Sequence, residues 1–434
     1  MVLCKQLKNK KAPGLDGLTS EHVKHIGDLG LAVLVKLFNS IATIGCVPQS
    51  FKHGLLVPIP KGDKDKSIQS NYRGITLLPT LRKLFEKVIL QRVSKWVREE
   101  KIIDDLQGGD KAKCSSLETN LVVRETIAQY REENTNVYVC MLDAKKAYDG
   151  VWQDGLFYKM FEAGMDRNLW MILIQMFSNV QCRVKYGKEL SESFVAKQGI
   201  VQGGPLSLIA YELYNNELLT LLKASTAGTS IGRHCTTCPA FADDVTLIAP
   251  TKSGMQKLLS IAQRYASKWR YEYNITKCSV IVYGKDPCPS TSLLLGTTHI
   301  PIKASDEHVG TVMTDNNAEI TKYIKRRIEM CKKRSCAITG IGSYSAPMLP
   351  KSASKLYWAV CVPKLTYGLH LMDLPPEAST ALESYHAQSA KTFQGLPERA
   401  SNDGALFMMG WPSITGYIDI VRLMYFMRIL LLPQ

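Results

Sequence analysis

Apolar positions recur every three to four residues along 31–44 (LAVLVKLFNSIATI) and 82–97 (RKLFEKVILQRVSKWV), and that spacing predicts two helices. In the second, Leu84, Phe85, Val88, Ile89, Val93 and Trp96 share one face and basic residues fill the other. Between them, residues 58–66 are polar and turn-rich and predict a loop. Residues 137–143 (VYVCMLD) have the length and β-branched content of a buried strand, and they end in an aspartate. Residues 144–148 and 150–161 return toward helix, with Asp149 as a cap. Residues 198–222 read as a glycine-rich loop opening a helix, with Pro205 near its first turn. Residues 239–249 (PAFADDVTLIA) are two short apolar runs around a pair of aspartates, the pattern of a β-hairpin with both carboxylates at its tip. A helix over 253–270, a turn over 274–277 and a strand over 279–284 follow. This alternation predicts an α+β fold to about residue 312, and from about 318 the pattern turns mainly helical and basic. No fixed-period repeat is present, which excludes solenoids and propellers.

The 434 residues carry 54 Lys+Arg against 39 Asp+Glu, a formal charge of +15, with 45% hydrophobic residues. Such a chain can bury a sizeable core and is not a disordered tail. The charge is uneven: residues 1–95 hold 16 Lys/Arg against 6 Asp/Glu, and residues 318–356 hold 9 against 2. Two basic regions flanking a balanced middle suit a polyanion gripped from two sides, nucleic acid first among them. The 12 cysteines are scattered, and Cys235/Cys238 with His234 falls short of a four-ligand zinc site, so reduced structural thiols in an intracellular protein are expected. The longest apolar run, 423–432, is interrupted by Arg428, and the N-terminus lacks a secretory pattern; no membrane segment is expected.

Asp143, Asp243 and Asp244 stand at the ends of predicted strands. If those strands are neighbours, the three carboxylates meet at one edge of a sheet and can hold two hard divalent cations. Such a pair activates an attacking hydroxyl and stabilises the leaving oxygen of an in-line phosphoryl displacement. Taken alone, an Asp-Asp pair at a turn is weak evidence for this.

Order and company change the odds. KAPGLDGLTSEHVK (11–24), NYRGITLLPTLRKLFEKVI (71–89), LDAKKAYDGVW (142–152), QGIVQGGPLSL (198–208), FADDVTLI (241–248), NITK (274–277) and a degenerate HVG (308–310) follow one another along nearly the whole chain. Together they resemble the reverse transcriptases of non-LTR (LINE-type) retrotransposons. The resemblance implies a right-hand polymerase with fingers and palm over 1–312, a basic helical thumb over 313–372 and a helical post-thumb segment over 373–434. It implies an RNA-directed DNA polymerase that uses two Mg2+ ions, with Mn2+ as a substitute, and takes an RNA template, a DNA primer and dNTPs. Asp143 matches the first catalytic metal ligand, Asp243 the second, and Asp244 completes the signature. Tyr148 matches the aromatic residue under the incoming sugar, which excludes a 2′-hydroxyl. Gln202 and Gly203 resemble the loop against the nascent base pair, Arg73 and more weakly Lys61 the cations on the triphosphate, and Lys277 the proton donor to the leaving pyrophosphate. Lys322, Lys325, Arg326, Arg327, Lys332, Lys333 and Arg334 resemble the nucleic-acid-binding face of the thumb.

The sequence departs from the family pattern at Val201, where Lys or Arg is common, at Leu208, which replaces a frequent Pro, and at Gly74, after Arg73. Rival readings are a non-catalytic, domesticated RNA-binding derivative and a group II intron-type reverse transcriptase with a maturase role. KAPGLDG near the start and the tail over 406–433 weigh against the second. The match begins about ten residues from Met1, so an endonuclease is expected elsewhere in a larger element, of which this chain reads as a fragment acting in the nucleus or cytoplasm.

Overall fold

The computed structural model describes residues 1–62, 65–111, 114–284, 292–340 and 349–431. Parts of the expected loop over 58–66, of the basic region over 318–356 and of the tail over 406–433 lie outside these residues, at 63–64, 341–348 and 432–433.

The longer helices are α1 (Gly27–Ile44), α2 (Thr80–Glu99), α3 (Ser116–Glu132), α4 (Gln153–Glu162), α5 (Arg167–Phe177), α6 (Ser207–Lys223), α7 (Lys252–Lys268), α8 (Asn317–Thr339), α9 (Pro350–Val360), α10 (Pro376–Gln394), α11 (Asn402–Met409) and α12 (Ile414–Leu430). The strands that matter here are β1 (His53–Pro60), β2 (Tyr72–Leu77), β3 (Val137–Leu142), β4 (Val180–Tyr186), β5 (Ala240–Phe241), β6 (Asp244–Ala249), β7 (Ser279–Tyr283), β8 (Asp306–His308) and β9 (Thr311–Met313). The fold is α+β, and the chain divides into two compact units. Met1–Thr119, Cys140–Cys278 and Ser292–Pro301 form one; Asn120–Val139, Ser279–Thr291 and Ile302–Gln434 form the other.

The first unit contains a mixed sheet in the order β2-β1-β4. β1 and β2 are antiparallel, from Leu55 opposite Leu77 to Pro60 opposite Tyr72, while β1 and β4 are parallel, with His53 opposite Gln181. The turn-rich appearance of residues 58–66 therefore misleads, because Pro58 and Pro60 belong to a strand. They lie beyond the His53–Leu56 stretch that pairs on both sides, where a missing amide costs no ladder bond toward β4. α2 buries Leu84, Phe85, Ile89 and Val93, and its Phe85 ring packs on Phe38 and Phe51 at 5.1 and 6.2 Å.

Inside that core Arg82 and Glu86 form an ion pair at 2.8 Å with side chains 0% and 2% exposed. Arg82 also donates to the carbonyls of Phe51 (2.8 Å) and Met176 (3.0 Å), tying α2 to the segment before β1 and to α5. The far end of β3 lies beside β6, which pairs with β5. All six residues of β3 are buried, which explains its unbroken apolar sequence. α7 lies along β6, burying Met255, Leu258, Leu259, Ala262, Tyr265 and Ala266 at helical spacing, and the Thr251 hydroxyl caps it on the Gly254 amide.

Two local expectations are corrected. Ala144 bridges Tyr273 and residues 145–150 form a succession of turns rather than helix, and α4 begins after Trp152 and not at Asp149, with no side-chain cap. By length and composition one helix among the described residues could cross a membrane, and it is α1, 18 residues with a mean hydropathy of 1.4, not 423–432. Counting uninterrupted apolar runs missed α1 because Asp28 and Lys36 break it. In the structure α1 buries Leu34 and Ile41 in the first unit.

The second unit is mainly helical. Its core gathers Ile324 of α8, Tyr357 of α9, Leu382 of α10, Leu406 of α11 and Ile414 of α12, with the Tyr357 and Trp411 rings stacked at 4.6 Å. The degenerate HVG stretch is the turn of a hairpin, His308 opposite Thr311 between β8 and β9. The described cysteines, Cys235 and Cys238 among them, carry no disulfide, and most are buried.

Candidate active site

The first unit brings together Asp143, Asp243, Asp244, Tyr148 and Lys277. Asp143 follows the last residue of β3. Its backbone is pinned on both sides: the carbonyl accepts from the Asn274 amide at 2.7 Å, and the amide donates to the Cys278 thiol sulfur at 3.3 Å. Its carboxylate accepts from the Lys277 ammonium at 2.9 and 3.1 Å. The turn over 274–277 and its lysine are thus held against an aspartate more than a hundred residues earlier in the chain.

β5 and β6 form a two-residue hairpin, Phe241 opposite Asp244, with Ala242 and Asp243 in the turn. Asp243 is the tip, and Asp244 is the first paired residue of β6 rather than a second tip residue. Ala242 adopts φ 55°, a left-handed conformation that costs an alanine about 1–2 kcal/mol. Gln107 holds it there: its amide nitrogen donates to the Ala242 carbonyl at 3.1 Å, and its amide oxygen accepts from the Ala242 amide at 2.8 Å. The neighbouring chain extends the hairpin, since Gly108 donates to Ala240 and Ala240 to Leu106, both at 2.9 Å. Sequence reasoning missed Gln107, because a lone glutamine in a loop carries no periodic or compositional signal.

Burial raises the Asp243 carboxyl above the usual range and Asp143 adds to the shift, while Arg73 and Lys277 pull against it. Asp244 is pushed to about 6, mainly by burial and then by Asp243 and Asp143. Among the described residues no group of three His, Cys, Asp or Glu side chains is placed to hold a metal ion by itself. The chemistry of the donors is that of a hard cation: carboxylate oxygens, with water and phosphate oxygens completing the shell, are what Mg2+ takes.

A group whose carboxyl pKa is raised by folding favours its protonated form in the native state. Its stabilising contribution is complete below the unfolded value and is lost as pH rises through the folded one. For Asp244 that window runs from about 4 to 6 and is worth roughly 3 kcal/mol. In EDTA, Asp244→Asn is therefore expected to melt progressively higher than the wild type as pH rises from 4 to 7. A difference in melting temperature that does not change with pH would refute this.

Tyr148 sits among the turns after β3, its carbonyl accepting from the Ile200 amide at 2.9 Å. Burial, Asp243, Glu212 and Asp244 push its phenol up to about 12, so it is neutral. The glycine-rich loop comes in beside it. Gly199 has φ 85°, and a Cβ there would stand 2.8 Å from the Asp149 carbonyl oxygen, so only glycine fits. Gly203, at φ 98°, follows Gln202, whose carbonyl accepts from Thr76 of β2 at 3.4 Å. β2 also carries Arg73, opposite Ile59. Arg73, Gln202 and Gly203, far apart in sequence, therefore belong to one corner of the first unit. Lys61 ends at the Ser70 carbonyl, 3.0 Å from its ammonium.

The second unit carries the seven basic residues of α8. Lys322, Lys325, Arg326, Lys332, Lys333 and Arg334 are solvent-facing, several in ion pairs such as Lys325 with Glu377 at 2.7 Å and Lys332 with Glu329 at 2.7 Å. Arg334 also donates to the Val360 carbonyl at 3.1 Å. Arg327 does not share that face. It is buried, and its guanidinium donates to the carbonyls of Tyr367 (2.6 Å) and Gly310 (2.7 Å) and lies over the Tyr323 ring. Its charge holds the turn between β8 and β9, which leaves six cations facing solvent on α8.

Residues 59–341 match the family described as reverse transcriptase (RNA-dependent DNA polymerase). The chain is 26% identical over 402 residues to the RNA-directed DNA polymerase from mobile element jockey of Drosophila melanogaster, covering 91% of this chain and 43% of that one. It is 25% identical over 303 residues to the Pol polyprotein of the type-2 retrotransposable element R2DM of the same species, covering 68% and 28%. The chain thus spans less than half the length of these relatives. Among solved structures, telomerase from Candida albicans in complex with a fragment of telomeric RNA aligns with a TM-score of 0.44 at 13% identity, over 85% of this chain and 69% of that one.

Proposed function

Because the chain belongs to the reverse transcriptase (RNA-dependent DNA polymerase) family, we propose that it extends a DNA primer on an RNA template, as the polymerase part of a non-LTR retrotransposon. The observation that carries this reading is the convergence of Asp143, Asp243 and Asp244 beside Tyr148 and Lys277. In the reaction the primer 3′-hydroxyl loses its proton, its oxygen bonds to the α-phosphorus of a dNTP, and the bond to the leaving diphosphate breaks. Asp143, Asp243 and Asp244 are the residues that would hold Mg2+, or Mn2+ in its place; bound there, the ions supply a more acidic hydroxyl and neutralise charge on the leaving oxygen.

The remaining roles belong to the chain itself. Arg73 offers a planar, bidentate donor for triphosphate oxygens, with Lys61 a more distant second cation. Gln202 and Gly203 present backbone and amide to the nascent base pair, where a side chain on Gly203 would obstruct. The Tyr148 ring lies under the sugar and leaves no space for a 2′-hydroxyl. Lys277, whose ammonium rests on the Asp143 carboxylate, would give a proton to the departing diphosphate.

Extension of a DNA primer on an RNA template with Mg2+, run beside Asp243→Ala, tests this reading. If wild type extends no better than the variant, the polymerase reading fails and an RNA-binding role remains. The fingers, palm and thumb terms apply on the same basis, with α8 as the thumb helix that tracks the duplex. Replacing Lys322, Lys325, Arg326 and Lys333 together by Gln is expected to flatten the plot of log binding constant against log salt by about one unit for each phosphate that these side chains neutralise. An unchanged slope would make those charges a solvated surface only.

A further inference from the structure

Tyr148 is the residue on which sugar selection depends in the reading above, yet little around it is rigid. It lies in consecutive turns and is only half-buried, and among the described residues its main-chain tie is the bond from Ile200 to its carbonyl. A ring that must reject one hydroxyl cannot retreat by even part of an ångström. What stands behind it is Tyr211, a little over one turn into α6 and 3% exposed. The two ring centroids are 5.2 Å apart with their planes at 31°, a tilted contact through which one ring blocks the other.

Tyr211 is in turn fixed. Its neighbours on α6, Ile209, Ala210, Leu213 and Tyr214, are buried, and a packed helical aromatic has few rotamers open to it. Two half-buried tyrosines continue the cluster: Tyr271 and Tyr273 share a hydroxyl contact at 3.2 Å, and Tyr271 donates to Asn215 of α6 at 3.3 Å. We infer that Tyr211 is a positioning residue for sugar discrimination: its ring is the backing that keeps Tyr148 forward, so that selection between deoxy- and ribonucleotides is set by a pair of rings and not by one. This rests on the reading of Tyr148 as the residue under the sugar.

The ratio of kcat/KM for dCTP to that for CTP, measured by single-nucleotide extension on an RNA template with a DNA primer, tests the inference. Tyr211→Leu is expected to lower that ratio roughly tenfold by admitting CTP, since discrimination by shape alone is worth about that per displaced group. Tyr211→Phe, which keeps the ring, should hold the wild-type ratio. Tyr211→Met keeps much of the volume without a planar face and should fall with Leu; it serves if Tyr211→Leu does not fold, as judged by thermal melting.

Tyr148→Val is expected to lower the ratio further, and adding Tyr211→Leu to it should produce no additional loss. If Tyr148→Val relaxes selection while Tyr211→Leu and Tyr211→Met do not, the backing role is overturned and the Tyr148 reading survives. If Tyr148→Val itself leaves the ratio unchanged, the sugar-contact reading is what fails. Fully additive effects in the double variant would also overturn the coupling.

Discussion

Asp143→Ala is expected to lower single-turnover primer extension by about three orders of magnitude or more, the equivalent of roughly 4 kcal/mol of transition-state stabilisation. The structure separates this from a folding defect. The Asp143 side chain is 30% exposed and its partner Lys277 is 61% exposed, so removing the carboxylate strands no buried charge. Exposed ion pairs of this kind contribute about 1 kcal/mol or less. The backbone contacts from Asn274 and Cys278 go to main-chain atoms and survive the substitution. A near-wild-type melting temperature with extension abolished is the expected pair of results. Extension reduced by less than tenfold would remove Asp143 from the chemistry.

The largest effect on stability is expected from Arg82→Met. Breaking a buried ion pair from one side leaves an uncompensated charge and costs about 3–5 kcal/mol. Here the substitution also strands the carbonyls of Phe51 and Met176, which Arg82 serves. Arg82→Met/Glu86→Leu should recover part of the stability by removing the orphaned carboxylate, and Glu86→Leu alone should cost less than Arg82→Met. Urea unfolding of the three variants measures this. A single Arg82→Met variant as stable as the wild type would show that the pair is not the clamp its geometry suggests. The second oxygen of Glu86 makes no hydrogen bond, and a Cβ at Gly204 would stand 3.1 Å from it. The rescued double variant therefore also changes the floor beneath the loop of Gln202 and Gly203.

Much of the site was legible because its signals are local. A buried strand running up to Asp143, a hairpin around the Asp-Asp pair and a turn before Lys277 each appear within about ten residues, and the structure contains them with one change: Asp243 alone is in the hairpin turn, and Asp244 is already paired in β6. What escaped was of two kinds. Charge type was mistaken for exposure at Arg327, which shares its helical face with Tyr323, Ile324 and Ile328 and is buried with them. Long-range pairing was invisible: nothing in Gln107 announces a clamp on Ala242, and nothing in Pro58 or Pro60 announces a strand whose second partner ends before they begin. The junction of β2 with the glycine-rich loop, which assembles Arg73 and Gln202, is of this second kind.

The clamp of Gln107 on Ala242 sets the order in which the protein becomes competent. The two residues are 135 positions apart, and the hairpin that carries Asp243 is held in an unfavourable backbone state by that distant amide. A two-strand hairpin of this length has little stability of its own. Closing so long a loop is a late and slow event in folding. The hairpin that carries Asp243 therefore matures only after residues 104–109 have docked along β5, and it comes apart when they lift away. Opening of that one short segment, visible as fast amide exchange at Gly108 and Ala240, would unseat Asp243 in a chain whose cores remain folded.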